Sequence, residues 1–255
     1  MTSITPSKPN LTTNDSAVLQ ALFDAESSPS SGVTINPNLP PFPAHLDITP
    51  ELHDTLQSHS TTIIRPLTSE TTTPSTIQTA ITALDTLIQE NPTYPPAYAN
   101  RAQARRMLID NLTKAENQSE TEKDGNDATL FNAQNTPIFS ALLSDLGEAI
   151  RLATPLSPAD AVSPIQGRLL ADAHTHRGYL LLRLAKGKRG GFEGPERWRS
   201  LDADQVEEMA SRDFFMGGRF GNRVAQQLAV QTNPYAKMCG AIVKEALRKE
   251  VEGSM

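Results

Sequence analysis

Apolar residues recur every three or four positions along most of the chain, which is the spacing of one face of a helix. The clearest case runs from Ile77 through Ile81 and Leu84 to Ile88, and a similar stripe spans 235–247. No segment alternates apolar and polar residues strongly enough to predict a strand. The pattern therefore predicts an all-α fold, with helices over 50–66, 75–89, 96–112, 137–152, 165–185, 202–216, 222–230 and 234–247.

The first 49 residues are mostly polar and rich in serine, threonine, asparagine and proline. We expect them to form a disordered arm, because such a composition buries too little apolar surface to fold. Within this arm, four residues share one helical face and predict a short helix near 15–25: Val18, Leu19, Leu22 and Phe23. This helix can either dock into a partner's groove or fold back on the rest of the chain as a capping or autoinhibitory segment.

The predicted helices also resemble one another. Between residues 80 and 105 lie the series Ala80-x3-Leu84-x2-Leu87, a turn at Asn91-Pro92, and the series Tyr98-x2-Arg101-Ala102-x2-Arg105. Together they match the second helix of one tetratricopeptide unit and the first helix of the next. The second-helix series recurs at Leu142, Leu146, Ala149 and at Ala210, Phe214, Gly217, and the first-helix series recurs at His174, Arg177, Gly178, Leu181.

This recurrence predicts a solenoid of three tetratricopeptide repeats, at about 50–93, 94–155 and 165–222, followed by C-terminal capping helices over 223–255. Ala102 and Gly178 are small at the position where the two helices of a unit must approach closely. Polar insertions at 113–135 and 186–201 fall in loops, where such arrays tolerate them. The units are thus separated by long insertions that obscure the period of the repeat.

Longer runs of the sequence resemble the tetratricopeptide repeat protein 36 family. They are Asn14-Asp15-x-Ala17-Val18-Leu19-Gln20-Ala21-Leu22-Phe23, Tyr98–Arg106, Asp145-Leu146-x-Glu148-Ala149-Ile150-x-Leu152, Arg212-Asp213-Phe214 and Asn233-Pro234-Tyr235-Ala236-x2-Met238-Cys239. The resemblance implies a three-repeat solenoid without catalytic activity, linked to the seventy-kilodalton heat-shock chaperone and to tyrosine metabolism. The chain departs from the family in its long insertions and in its first repeat, whose leading helix is barely recognisable.

In a tetratricopeptide array the first helix of each unit lines the concave face that holds a partner. On that geometry we predict a partner-binding site formed by Asn100, Gln103 and Arg106 from one helix and by His176, Tyr179 and Arg183, with Thr175, from the next. The site would bind a protein or peptide, and the alternative is a face that is solvated or covered by the N-terminal arm. The second candidate is a co-chaperone that grips a chaperone's C-terminal carboxylate. Asn100 fits that function, but Asp172 and His176 stand where a lysine and an arginine are wanted, and Asp172 would repel the carboxylate.

Composition and the absence of known motifs argue against nucleic-acid binding, membrane insertion, metal binding and catalysis. The net charge of -6 argues against nucleic acid as the main partner, and the basic loop with Lys186, Lys188, Arg189 and Trp198 is more simply a solvated loop than a phosphate site. No window is apolar enough for a membrane span. Cys239 is the only cysteine, so we expect no internal disulfide, no thiol-based metal site and a reducing, cytoplasmic or nuclear setting. We also expect a monomer without metal or cofactor. His174 and His176 point to different helix faces, and no nucleophile-and-base motif is present, so an enzyme is the least favoured class.

Overall fold

The computed structural model describes residues 33–69, 72–117, 135–192 and 194–233, with side chains up to Thr113 in the second range. Within these ranges the fold is all-α, as the sequence predicts, and the extended pairing is confined to a single bridge between Ile35 and Val162. The helices are α1 (Pro50–Ile64), α2 (Pro74–Glu90), α3 (Pro95–Asn117), α4 (Asn135–Ala153), α5 (Pro164–Arg189), α6 (Ala203–Arg219) and α7 (Arg223–Thr232). Short 3-10 turns occur at Ala44–Leu46, Arg65–Thr68 and Glu196–Trp198.

The helices begin at polar caps that the sequence supplies. The side chains of Thr49, Thr73 and Ser163 accept a hydrogen bond from the third backbone N–H of α1, α2 and α5, and a proline follows each cap. The helix α2, predicted over 75–89, thus begins at Pro74 and is capped by Thr73. The helix α5 is longer than predicted, because it continues through Gly187 to Arg189.

Each helix packs against the next one along the chain, and α1, α3 and α5 also contact one another in that order. The helices α5 and α6 approach each other closely at Gly178, as predicted from its small size. A Cβ atom there would lie 3.0 Å from two ring carbons of Phe214 and 3.2 Å from the carbonyl oxygen of Ala210. Ala102 is fully buried at the corresponding place on α3. Small residues therefore set how closely paired helices approach.

The segment 33–49 is not the disordered tether that the sequence predicted. The bridge between Ile35 and Val162 is made by two backbone hydrogen bonds of 2.9 Å each. Phe42, Leu46 and Ile48 are buried in the same core as α1, α2 and α3. We call residues 33–49 the edge segment, because most of its contacts fall at the ends where α1, α3 and α5 begin, with one further hydrogen bond from Val33 to Arg219 at the end of α6. Three apolar residues anchor it, although prolines surround them.

The helix α1 covers most of the predicted range 50–66, but its apolar residues do not all face inwards. Leu52 is 39% exposed. The buried positions are instead His53, Leu56 and Ser60. Two of these three are polar, so the inner face of α1 gives only a weak hydrophobic signal.

Several predictions concern residues outside the described ranges. These are the short helix near 15–25, the stripe at 235–247 with Cys239, and the insertion, of which 118–134 is not described. The predicted insertion at 113–135 is shortened at both ends, since α3 continues to Asn117 and α4 begins at Asn135. Among the described helices, none is both long and apolar enough to cross a membrane.

Candidate ligand-binding groove

A groove with a volume of about 550 Å³ lies between α1, α3 and α5. The inner face of α1 forms one wall, the N-terminal half of α3 contributes the middle, and α5 forms the other wall from Pro164 to His176. Leu146 of α4 and Ile64 and Leu169 from the walls give it an apolar base. The volume falls within the range of small-molecule and peptide sites in proteins.

Three of the six predicted partner-binding residues line this groove: Asn100, Gln103 and His176. The other three form a cluster further along α3 and α5, where the guanidinium carbons of Arg106 and Arg183 lie 5.6 and 5.8 Å from the centre of the Tyr179 ring. These distances are typical of cation–π contacts. Tyr179 is 42% exposed, so this cluster lies at the surface of the protein. Nε of Arg106 also donates to the carboxylate of Asp110 at 3.1 Å, which offsets its charge. The six residues thus form a groove and an adjoining cation–π cluster.

Thr175 does not face the groove, contrary to the sequence prediction. Its hydroxyl donates to the carbonyl oxygen of Ala171 at 2.6 Å. A Cβ atom placed on Gly217 of α6 would lie only 2.7 Å from the same hydroxyl oxygen. Thr175 therefore belongs to the contact between α5 and α6.

The charges in the groove balance. Among the described residues that line it, Arg168 is the one arginine or lysine and Asp172 the one carboxylate. Burial raises the pKa of Asp172, and the charge of Arg168 and a hydrogen bond from Asn222 partly oppose this rise. Burial and the neighbouring charge of Arg106 lower the pKa of His176 to about 4, so this imidazole is neutral at physiological pH. The groove is polar but formally neutral.

Sequence reasoning missed the α1 wall. His53 is buried there in a three-ring contact, with ring centres 5.5 Å from Phe42 and 5.9 Å from Tyr94. The phenol of Tyr94 lies 3.2 Å from Nδ1 of His53. Burial raises the pKa of Tyr94 and lowers that of His53, so the contact joins a phenol O–H to a neutral imidazole. The signal that could have found this wall is the run His53, Gln57, Ser60, whose spacing puts three polar residues on one helix face.

Behind the groove, a buried ion pair joins α3 to α4. Nε and Nη2 of Arg101 donate to the carboxylate of Asp145 at 3.0 and 2.6 Å. Arg105 contacts the second oxygen of the same carboxylate. The remaining Nη1 of Arg101 reaches Asp85 of α2 at 2.7 Å. One arginine therefore ties three successive helices together.

The same arrangement recurs between α5 and α6. Nε and Nη2 of Arg177 donate to the two oxygens of Asp213, both at 2.7 Å. His174 lies 2.8 Å from the carboxylate through Nδ1 and stacks on Phe220. Arg177 and Asp213 occupy the same places in the recurring series as Arg101 and Asp145. The recurrence of residues along the sequence is thus matched by a recurrence of contacts.

Two weaker predictions can be checked directly. His174 binds Asp213 while His176 lines the groove, so the two point apart as predicted. The predicted basic loop is corrected in part, because Lys186, Lys188 and Arg189 lie in the last turn of α5. Arg189 pairs with Asp204 at 2.7 Å and also contacts Glu207, which reduces its attraction for a phosphate.

The fold and the groove define a class: an all-α protein of successively packed helices whose first, third and fifth members enclose a polar site. No protein-family profile and no solved structure matches the chain. The chain is 59% identical over 257 residues to the L-tyrosine degradation gene cluster protein hmgX of Aspergillus fumigatus, and the match covers 99% of this chain and 98% of the relative. The chain belongs to the same family as that protein.

Proposed function

We propose that the protein is a non-catalytic adaptor, a solenoid of three tetratricopeptide repeats that holds a polypeptide between α1, α3 and α5. The observation that carries the proposal is the groove itself, which α1, α3 and α5 line and to which Asn100, Gln103 and His176 contribute polar side chains. Amide side chains offer both donors and acceptors, which is what the backbone of an extended peptide requires. The cluster of Arg106, Tyr179 and Arg183 extends this surface along α3 and α5.

The recurring contacts support the repeat architecture. The pairs Arg101–Asp145 and Arg177–Asp213 join the two helices of the second and third proposed units in the same way. In both units a small residue directly follows the paired arginine, Ala102 after Arg101 and Gly178 after Arg177, and it allows the two helices to approach closely. Such repetition is what a solenoid requires, because each unit buries its apolar face against the next.

We place this adaptor in the breakdown of L-tyrosine, because the relative that is 59% identical is named for a tyrosine degradation gene cluster. The polypeptides that it holds would then be other proteins of that degradation route. An adaptor of this kind assists the route by stabilising or gathering its members, and it needs no catalytic group of its own.

The second candidate is a co-chaperone for a heat-shock chaperone of the seventy-kilodalton class. Asn100 and Arg168 both line the groove, and these two side chains could contact a C-terminal carboxylate. Asp172 lies one turn from Arg168 and offsets its charge. We therefore rank this function below the first. A fluorescence titration with the chaperone's tail peptide tests it, with Arg168→Ala as the variant that would localise a signal to the groove.

The main proposal can be tested by complementation. An Aspergillus fumigatus strain that lacks hmgX would receive this chain, and growth and consumption of L-tyrosine as the carbon source would be measured. We expect the wild-type chain to restore consumption and the triple variant Asn100→Ala/Gln103→Ala/His176→Ala to restore little of it.

The matched control is His59→Ala/Gln78→Ala, which removes the same kinds of side chain from exposed positions outside the groove. Both proteins should give the same circular dichroism spectrum and melting temperature as the wild type. Full restoration by the triple variant would refute a role for the groove. Failure of the wild-type chain would refute the link to tyrosine breakdown.

A further inference from the structure

The wall that α1 contributes to the groove contains a polar group without a partner. Ser60 is 2% exposed, and its buried hydroxyl has no hydrogen-bond partner in the part of the chain that the structure describes. Buried hydroxyls are nearly always hydrogen-bonded, so an unpaired one needs an explanation. Ser60 also lines the groove. A bound molecule with a hydroxyl group would supply the missing hydrogen bond.

The opposite wall offers a pair of opposite charges. Arg168 and Asp172 lie four residues apart on α5, so both are on the same face of the helix. A cation and an anion one turn apart suit the carboxylate and the ammonium group of a free amino acid. Between the two walls, Ile64, Leu146 and Leu169 provide apolar surface for a side chain.

We propose that the groove also binds a free aromatic amino acid that carries a ring hydroxyl, with L-tyrosine as the best fit. Its carboxylate would pair with Arg168, its ammonium group with Asp172, and its phenol with Ser60. The choice of an aromatic amino acid rests on the proposed function, since the groove alone specifies only an amphoteric molecule with a hydroxyl group. Tyrosine would span the groove from α5 to α1, next to the polypeptide.

Such binding would make the adaptor responsive to the supply of tyrosine. Tyrosine and the polypeptide would occupy adjoining parts of one groove, so each would change the affinity of the protein for the other. This coupling is reciprocal: both affinities change by the same factor. The protein would therefore hold its partner differently when tyrosine is abundant and when it is scarce.

Isothermal titration calorimetry of the full chain with L-tyrosine and with L-phenylalanine tests the proposal. We expect tyrosine to bind about tenfold more tightly, which is the change that one hydrogen bond produces. Ser60→Ala should remove this difference by weakening tyrosine alone. Asp172→Asn and Arg168→Gln should weaken both amino acids alike.

The matched control is Ser58→Ala, the same substitution at an exposed position of the same helix. If Ser60→Ala does not fold, Ser60→Cys keeps the volume and weakens the hydrogen bond. The proposal is overturned if tyrosine gives no saturable heat, if the two amino acids bind equally to the wild type, or if the Ser60 variants keep the tenfold difference. Because this experiment needs no partner, its failure leaves the complementation result to decide the proposed function separately.

Discussion

The ion pair behind the groove gives a quantitative prediction for Asp145→Asn. The side chain of Asp145 is 4% exposed, and those of its partners Arg101 and Arg105 are 15% and 17% exposed. Removing one member of a buried ion pair typically costs about 3–5 kcal/mol, because the remaining charge stays buried without compensation. Arg101 keeps its contact with Asp85, and asparagine keeps one acceptor oxygen. We therefore expect a loss near the lower end, about 3 kcal/mol.

The measurement is urea denaturation at neutral pH, followed by circular dichroism at a helix wavelength. A loss of this size is a large part of the 5–15 kcal/mol that typically stabilises a domain. The control is Glu148→Gln, which breaks the pair with Arg151, whose side chain is 65% exposed. Exposed pairs contribute about 0–1 kcal/mol, so the control should change the free energy of unfolding little. If Asp145→Asn costs no more than Glu148→Gln, the pair does not hold the helices together.

Three further predictions concern other contacts. Burial acts to raise the pKa of Asp213, but the hydrogen bonds and charges of Arg177 and His174 outweigh it and lower this pKa. The contribution of the Asp213 carboxylate to stability is therefore present above about pH 4 and is lost as the pH falls through the folded-state pKa. The stability difference between wild type and Asp213→Asn should thus shrink between pH 5 and pH 2 in urea titrations, and a constant difference would contradict this. Gly178→Val should lower the stability by about 1–3 kcal/mol through its clash with the Phe214 ring, whereas an unchanged melting temperature would mean that the helices move apart freely. Phe42→Ala should cost about 3–5 kcal/mol in the same assay, and a loss below 1 kcal/mol would show that the edge segment contributes little to the fold.

Much of the fold was predictable because local patterns encode it. Stripes such as Ile77 to Ile88 bury the face of a helix, and prolines after polar caps mark where helices begin. The all-α class follows from these patterns and is confirmed. Gly178 was also interpreted correctly, since only a small residue allows the approach to Phe214.

The remaining features depend on contacts between distant residues. The edge segment has only three buried apolar residues among its prolines, which is too few to give a period. Ser60 and His53 weaken the apolar stripe of α1 because they line the groove. Asn100, Gln103 and His176 were placed in the groove from the repeat geometry, but Arg168 was missed because no local pattern pairs it with α1.

The edge segment has a consequence for how the chain folds. The backbone N–H of Val33 donates to the carbonyl oxygen of Arg219 at 3.3 Å, while Phe42 packs on His53. Helical arrays normally have only near-neighbour contacts, so they can fold and unfold piecemeal, one unit at a time. Here a hydrogen bond between Val33 and Arg219 joins the first described residue to the end of α6, far along the chain. We expect this contact to merge the units into one cooperative transition, and to delay completion of the fold until the ribosome has released Arg219.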